Sequence, residues 1–247
     1  MNVIIASVIK NEANRYLAGA FDCWSDFADR IIVLDDGSTD NTADICAQFS
    51  KVERFTLPDT LDLWGHEAPH RAGLFNKCVA EGEVGDVLFW LDADMVPARD
   101  PRAFFAEESI TQWAFPLYDL WGHDPNGKLL YRSDTFWQGH IHPRVWAIRI
   151  PSDFDPLALE WNNKRGIHSG HIPGTYWDFD TSSPLIMPQD HSLLHYGYYS
   201  EADRLDRHER YLMVKRLMSE GEIAHARSIV DPSPILKRLP FKPEYEL

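Results

Sequence analysis

The chain has 247 residues, room for one large domain or two small ones. It is 44% apolar and 13% aromatic, enough for a packed core and too much for a disordered chain. A formal net charge of −14 argues against the basic face of a nucleic-acid binder, and an anionic substrate would need a metal ion or a local basic pocket.

The run "NVIIASVI" (2–9) is apolar and β-branched and reads as a strand. Residues 12–28 follow with Leu17, Phe21, Trp24 and Phe27 at helical spacing. A second strand starts at Arg30 and stops at Asp35-Asp36-Gly37-Ser38, a turn composition. Asp40, Asn41 and Thr42 offer caps for a helix over "ADICAQFS". "VERFTL" (52–57) fits a third strand, and residues 67–82 a helix ending near Gly82. "DVLFWL" (86–91) is apolar on both faces and belongs at the centre of a sheet. Strands alternating with helices mean an α/β fold, a mostly parallel sheet with helices on both faces. Ligands of such sheets sit beyond the carboxyl ends of the strands, where Asp35, Asp36, Asp92 and Asp94 all fall.

From about residue 111 to 198 the composition shifts to Trp, Tyr, His, Pro and Gly, as in a loop-rich pocket. Residues 200–222 read as one helix, with Ser200 and Asp203 as a capping box and Leu205, Tyr211, Leu212, Leu217 and Met218 as its apolar stripe. The tail from Pro232, with four prolines, looks irregular. Cys23, Cys46 and Cys78 are odd in number and widely spaced, which fits a reducing cytoplasm better than a disulfide framework. No run approaches the ~20 apolar residues of a spanning helix. Lys237, Arg238 and Lys242 beside Leu236, Leu239 and Phe241 are a weak candidate for peripheral membrane contact.

The stretch "VLFWLDADMVP" (87–97) carries the chemistry. On a strand, residues i and i+2 point the same way, so Asp92 and Asp94 would converge and repel unless a cation lay between them. Oxygen ligands favour Mg²⁺ or Mn²⁺. The bland alternative is a solvated acidic turn.

Together, "VIKNEANRYL", "IIVLDDGSTDNT" and "HRAGLFNKCVAEGEVGDVLFWLDADMVP" resemble the family 2 glycosyltransferases of the GT-A fold over roughly the first 100 residues. The resemblance implies a nucleotide-sugar-binding half over 1–100 and an acceptor-side half over 101–247, within one structural domain. It implies inverting, metal-dependent transfer of a sugar from a nucleotide-diphosphate donor to a hydroxyl acceptor. Lys10, Asn11, Glu12, Asp35, Asp36, Arg71 and Asp92 would meet the nucleotide. Asp92, Asp94 and His195 would hold Mn²⁺ or Mg²⁺. Where relatives carry His-Glu after a glycine, this chain has His168-Ser169, which leaves His168 and Asp178 as candidates for the catalytic base. Trp121, Trp137, Trp161 and Trp177 are candidates to line an acceptor site or to fill the core.

Two other readings compete. Asp92-Ala93-Asp94-Met95-Val96 also fits the nucleophile motif of a haloacid-dehalogenase-like phosphatase, although the later paired acids such an enzyme needs are missing. Ser169 in the acidic slot keeps open an inactive relative that binds nucleotide or sugar without turnover.

Overall fold

The computed structural model describes residues 1–57, 67–152, 160–161, 170–214 and 218–247, and only the backbone of Asp178 and Phe179. β1 (Val3–Ile9) is buried along almost all its length, as its Val and Ile content requires. α1 (Leu17–Phe27) turns Leu17, Ala20, Phe21, Trp24 and Phe27 into the core at helical spacing. It starts at Leu17 rather than at residue 12 because the preceding N–H groups bond elsewhere. Asn11 donates to Ser38 Oγ at 2.9 Å, Glu12 to Thr42 Oγ1 at 2.8 Å and Ala13 to Asp40 Oδ2 at 3.1 Å. Asn11 adopts φ +54°, a left-handed conformation that asparagine tolerates. These bonds lash the tip of β1 to the tip of β2 (Arg30–Asp35).

α2 (Thr42–Cys46), β3 (Val52–Phe55), α3 (Glu67–Glu81) and β4 (Val87–Trp90) complete the first part. β4 is buried at every position. It pairs in parallel with β1, β1 with β2, and β2 with β3. Next come β5 (Met95–Pro97), α4 (Arg102–Phe105), β6 (Gln112–Phe115), β7 (Leu117–His123), β8 (Leu129–Arg132) and β9 (Arg144–Arg149). α5 (Tyr176–Phe179), β10 (Leu185–Ile186), β11 (Leu193–His195), α6 (Glu201–Val214), α7 (Glu220–Ser228) and β12 (Leu236–Arg238) follow. β9 runs antiparallel to both β4 and β6, giving a seven-stranded sheet in the order β10-β6-β9-β4-β1-β2-β3.

A second, five-stranded sheet runs β12-β8-β7-β11-β5. β11 lies antiparallel to β5 with His195 opposite Met95, and parallel to β7 with His195 opposite Asp119. This register carries a residue from late in the chain to the acidic turn after β4.

Two expectations for the C-terminal region need correction. The helix read over 200–222 is two helices, because Ser219 and Glu222 form a capping box that starts α7. Ser200 does cap with Asp203: its N–H donates to Asp203 Oδ2 at 3.2 Å, and the Asp203 N–H returns to Ser200 Oγ at 3.0 Å. The apolar stripe is turned from its expected position, with Tyr211 and Val214 buried and Leu205 and Leu212 exposed. The tail is not wholly irregular either, since β12 pairs antiparallel with β8. Among the described residues no helix is long and apolar enough to cross a membrane.

Candidate active site

A cleft of about 980 Å³ opens at the carboxyl end of β4. Glu12, Arg71, Asp92, Asp94 and His195 line it, as do Arg15, Asp119, His171, Arg207 and Arg210. The two carboxylates of the D-x-D reach it differently from the sequence reading. Residues 92–95 form a turn, closed by the Met95 N–H donating to the Asp92 carbonyl at 2.9 Å, so strand alternation does not bring the side chains together. Asp92 Oδ1 faces Arg71 Nη2 and His171 Nε2, each at 3.9 Å. Burial would raise the Asp92 carboxyl, but His171 and the charge of Arg71 outweigh it and hold the group at about 2.

Asp94 faces the other way and is almost fully buried. Its Oδ2 accepts from Arg207 Nη2 at 2.7 Å, with Arg15 Nη2 at 3.8 Å. Its Oδ1 stands 3.5 Å from His195 Nε2. His195 Nδ1 is bonded to Asp119 Oδ1 at 2.7 Å. Burial opposes ionisation of Asp94, yet the His195 and Arg207 charges prevail and keep its carboxyl far below the usual range. Burial likewise works against charge on His195, but Asp94 and Asp119 push the imidazole up to about 9. Glu12 is raised to about 7 by burial, with Arg15 pulling it down and Asp94 pushing it up.

Glu12 Oε2, Arg71 Nε, Asp94 Oδ1, His171 Nε2, His195 Nε2 and Arg207 Nε are buried and lack a hydrogen-bond partner among the described residues. All six belong to residues of this cleft. Buried polar atoms are nearly always satisfied, so such a concentration marks a place built for a ligand.

A divalent cation fits part of this set. Asp94 Oδ1 and His195 Nε2 face one another 3.5 Å apart as an ion pair without a hydrogen bond, and the Asp119 carboxylate at Nδ1 would present the Nε2 lone pair to a metal. Asp92 does not join them, and among the described residues no three His, Cys, Asp or Glu side chains converge as a metal site. Among the described residues two donors face one another here, Asp94 and His195.

The remaining expected residues divide. Asp36 is buried off the cleft, bonded to His70 Nε2 at 2.6 Å and Lys10 Nζ at 2.9 Å. His70 adjoins Arg71 on α3, so Asp36 anchors the helix end that carries the cleft arginine. Asp35 closes its turn by accepting from the Ser38 N–H at 2.8 Å and pairs with Arg54 Nη1 at 2.8 Å. Asn11 accepts at Oδ1 from the Thr39 N–H at 2.8 Å. Lys10, Asn11, Asp35 and Asp36 are not part of the described cleft lining. His168 lies outside the described residues, as does the Asp178 side chain, whose backbone is in α5. Trp137 and Trp177 line the cleft. Trp121 packs with Trp137 and Tyr198 in a small second core, and Trp161 packs edge-on against Phe75 at 6.0 Å.

Sequence reasoning missed Arg15, His70, Asp119, His171 and Arg207. Asp119 did leave a trace, as a lone acid inside the apolar strand "LYDLW". Gly197 also matters: a Cβ there would collide with the Arg207 guanidinium and come within 2.6 Å of His195 Nε2.

Residues 4–102 match the model of the family described as Glycosyl transferase family 2. No curated protein matches this chain in sequence. Among solved structures, S. aureus TarS is 14% identical at a TM-score of 0.54, covering 93% of this chain and 42% of that one. Its 1–349 fragment gives a TM-score of 0.56 over 93% of this chain and 69% of that one, again at 14% identity. The same fragment solved with UDP gives 0.55 at 14% identity, over 93% and 70%. This chain thus spans less than half of that TarS chain. Over residues 4–102 the chain is thus similar in sequence to the family described as Glycosyl transferase family 2, and over most of its length it shares the GT-A fold of these structures.

Proposed function

We propose that the protein transfers a sugar from a nucleotide-diphosphate donor to a hydroxyl acceptor, with inversion and with the help of a divalent cation. The observation that carries this reading is the facing pair Asp94 Oδ1 and His195 Nε2, buried and 3.5 Å apart without a hydrogen bond, in a cleft at a strand carboxyl end. Mn²⁺ or Mg²⁺ held there would offset charge on the leaving diphosphate. Arg71 and Asp92 reach the nucleotide from one wall. Lys10, Asp36 and His70 support the loop ends beside it. UDP is the first nucleotide to try, since a structure of similar fold was solved with it.

Phe136 and Trp177, 45% and 40% exposed, give the cleft uncovered aromatic faces suited to the C–H surface of a saccharide acceptor. In the transfer, the acceptor oxygen forms its bond to the anomeric carbon as the bond to the diphosphate breaks. The hydroxyl proton passes to a base, for which His168 and Asp178 remain the proposed candidates. Three free thiols and the absence of a long apolar helix among the described residues are compatible with work in the cytoplasm.

A thermal-shift panel of nucleotide sugars, with and without Mn²⁺, tests the reading. A ligand that binds only the native state raises its apparent stability. Stabilisation by a nucleoside diphosphate that needs Mn²⁺, and that disappears in Asp94→Ala, is the expected result. An equal response in Asp94→Ala would remove the metal assignment. Release of phosphate from a generic ester would instead favour the phosphatase.

A further inference from the structure

The acidic turn is also held by residues that do not line the cleft. Tyr196 is almost fully buried, and its backbone N–H donates to the Asp94 carbonyl at 2.8 Å. It stands between His195, which faces Asp94, and Gly197, which abuts the Arg207 guanidinium. A shift of this three-residue segment would move the imidazole, the acidic turn and the arginine contact together. A buried phenol hydroxyl needs a hydrogen-bond partner. The one for Tyr196 comes from the tail: the Leu247 N–H donates to its hydroxyl at 3.1 Å. Residues 239–247 are anchored at each stage of their path to that point. The Leu239 N–H donates to the Leu129 carbonyl on β8 at 2.9 Å, and Phe241 packs edge-on against Tyr118 at 5.6 Å. The Glu244 N–H donates to the Ala98 carbonyl, just past β5, at 2.7 Å. Tyr245 packs 6.2 Å from Phe27 at the end of α1. Leu247 lies against Gly19 of α1, where an added Cβ would come within 3.2 Å of its side chain. α1 touches the acidic turn itself, since Trp24 Nε1 donates to the Met95 carbonyl at 3.0 Å. The tail thus grips both elements that flank the turn and closes on Tyr196. Residues 239–247 and Tyr196 are not part of the described cleft lining.

We infer that residues 244–247 form a positioning strap for the cleft: through the Tyr196 hydroxyl they fix the segment His195–Gly197 and, with it, the Asp94 turn. Tyr196 is then a positioning residue, which acts on the pair Asp94 and His195 without touching a ligand. The cation as a readout rests on the transferase reading; the strap itself does not.

Two variants test this beside the full chain. Tyr196→Phe removes the hydroxyl and keeps the ring, and deletion of residues 244–247 removes the strap. Melting curves fix a temperature at which all three proteins are folded. Amide NMR spectra at that temperature read the turn without any ligand. The residue-196 amide proton should move upfield in both variants, as a lengthened bond to the Asp94 carbonyl requires, while the β1 amides keep their positions. Calorimetry with Mn²⁺ in the presence of UDP gives the second readout. Mn²⁺ affinity should fall about fivefold in Tyr196→Phe, the worth of one neutral hydrogen bond, and about tenfold in the deletion, where the contacts with Phe27 and Gly19 go as well. A residue-196 signal that stays in place in the deletion overturns the inference. So does a lowered melting temperature with Mn²⁺ affinity unchanged, which would make the tail a source of stability alone. Failure of the transferase reading looks different: the unmodified chain then binds neither UDP nor Mn²⁺, and the amide signal alone decides the strap.

Discussion

Asp119 on β7 holds His195 on β11 through Nδ1 at 2.7 Å, across a pair of parallel strands in direct register. This bond decides which imidazole nitrogen faces Asp94. Asp119→Ala should therefore weaken Mn²⁺ binding in the presence of UDP by about 10–100-fold, the range for losing an outer partner of a metal-ligating histidine. Calorimetry reads this directly, and undiminished affinity would detach His195 from the cation.

Without metal, stability should fall as the solution becomes alkaline. His195 is raised from 6.5 to about 9 in the folded protein, so its contribution is complete below 6.5 and is lost as pH rises through 9. Glu12, raised from 4.5 to about 7, acts in the same sense lower down. His140 and His171 are held low, chiefly by burial, and act oppositely only below 6.5. Melting curves in a chelator should decline between 6.5 and 9, and His195→Asn should flatten that decline. A profile that rises there would contradict the pairing of His195 with Asp94.

Gly197 lies against two cleft side chains at once. Its φ is not in the left-handed region, so alanine can adopt the backbone. The added methyl nevertheless displaces Arg207 or His195. Gly197→Ala should keep its fold by circular dichroism and lose about 100-fold in kcat/KM, the scale of an ångström-sized misplacement. Full activity would show that neither side chain needs its observed position.

The neighbouring acids Asp35 and Asp36 should separate on mutation. Arg54→Ala leaves the buried Asp35 without its ion-pair partner and should cost about 1–3 kcal/mol in denaturant unfolding, with nucleotide affinity preserved. Asp36→Asn weakens the tie to His70 and Lys10 and should lower nucleotide affinity. Equal nucleotide loss in both variants would refute the division of roles.

Local patterning revealed the parallel core. β1 and β4 are continuous apolar runs, and α1 repeats its apolar side chains at helical spacing, signals that come from neighbours along the chain. Asp94 and His195 were legible as candidates because a carboxylate at a strand end and a histidine after a short apolar strand are locally conspicuous. What stayed hidden depends on register and rotation. Asp92 and Asp94 part because residues 92–95 close a turn, which no alternation rule foresees. Arg207 reads as an ordinary surface arginine on a charged helix until the packing of α6 turns it toward Asp94. Asp119 and His195, 76 residues apart, meet only through the pairing of β7 with β11.

β11 has a further consequence for how the molecule is put together. Its three residues are pinned on one edge to β5, which sets the histidine beside the acidic turn, and on the other to β7, which sets it beside Asp119. A fragment ending near residue 102, where the family match stops, would carry Asp94 but not Asp119, His195 or Arg207. The first hundred residues alone therefore hold only one side of the cleft.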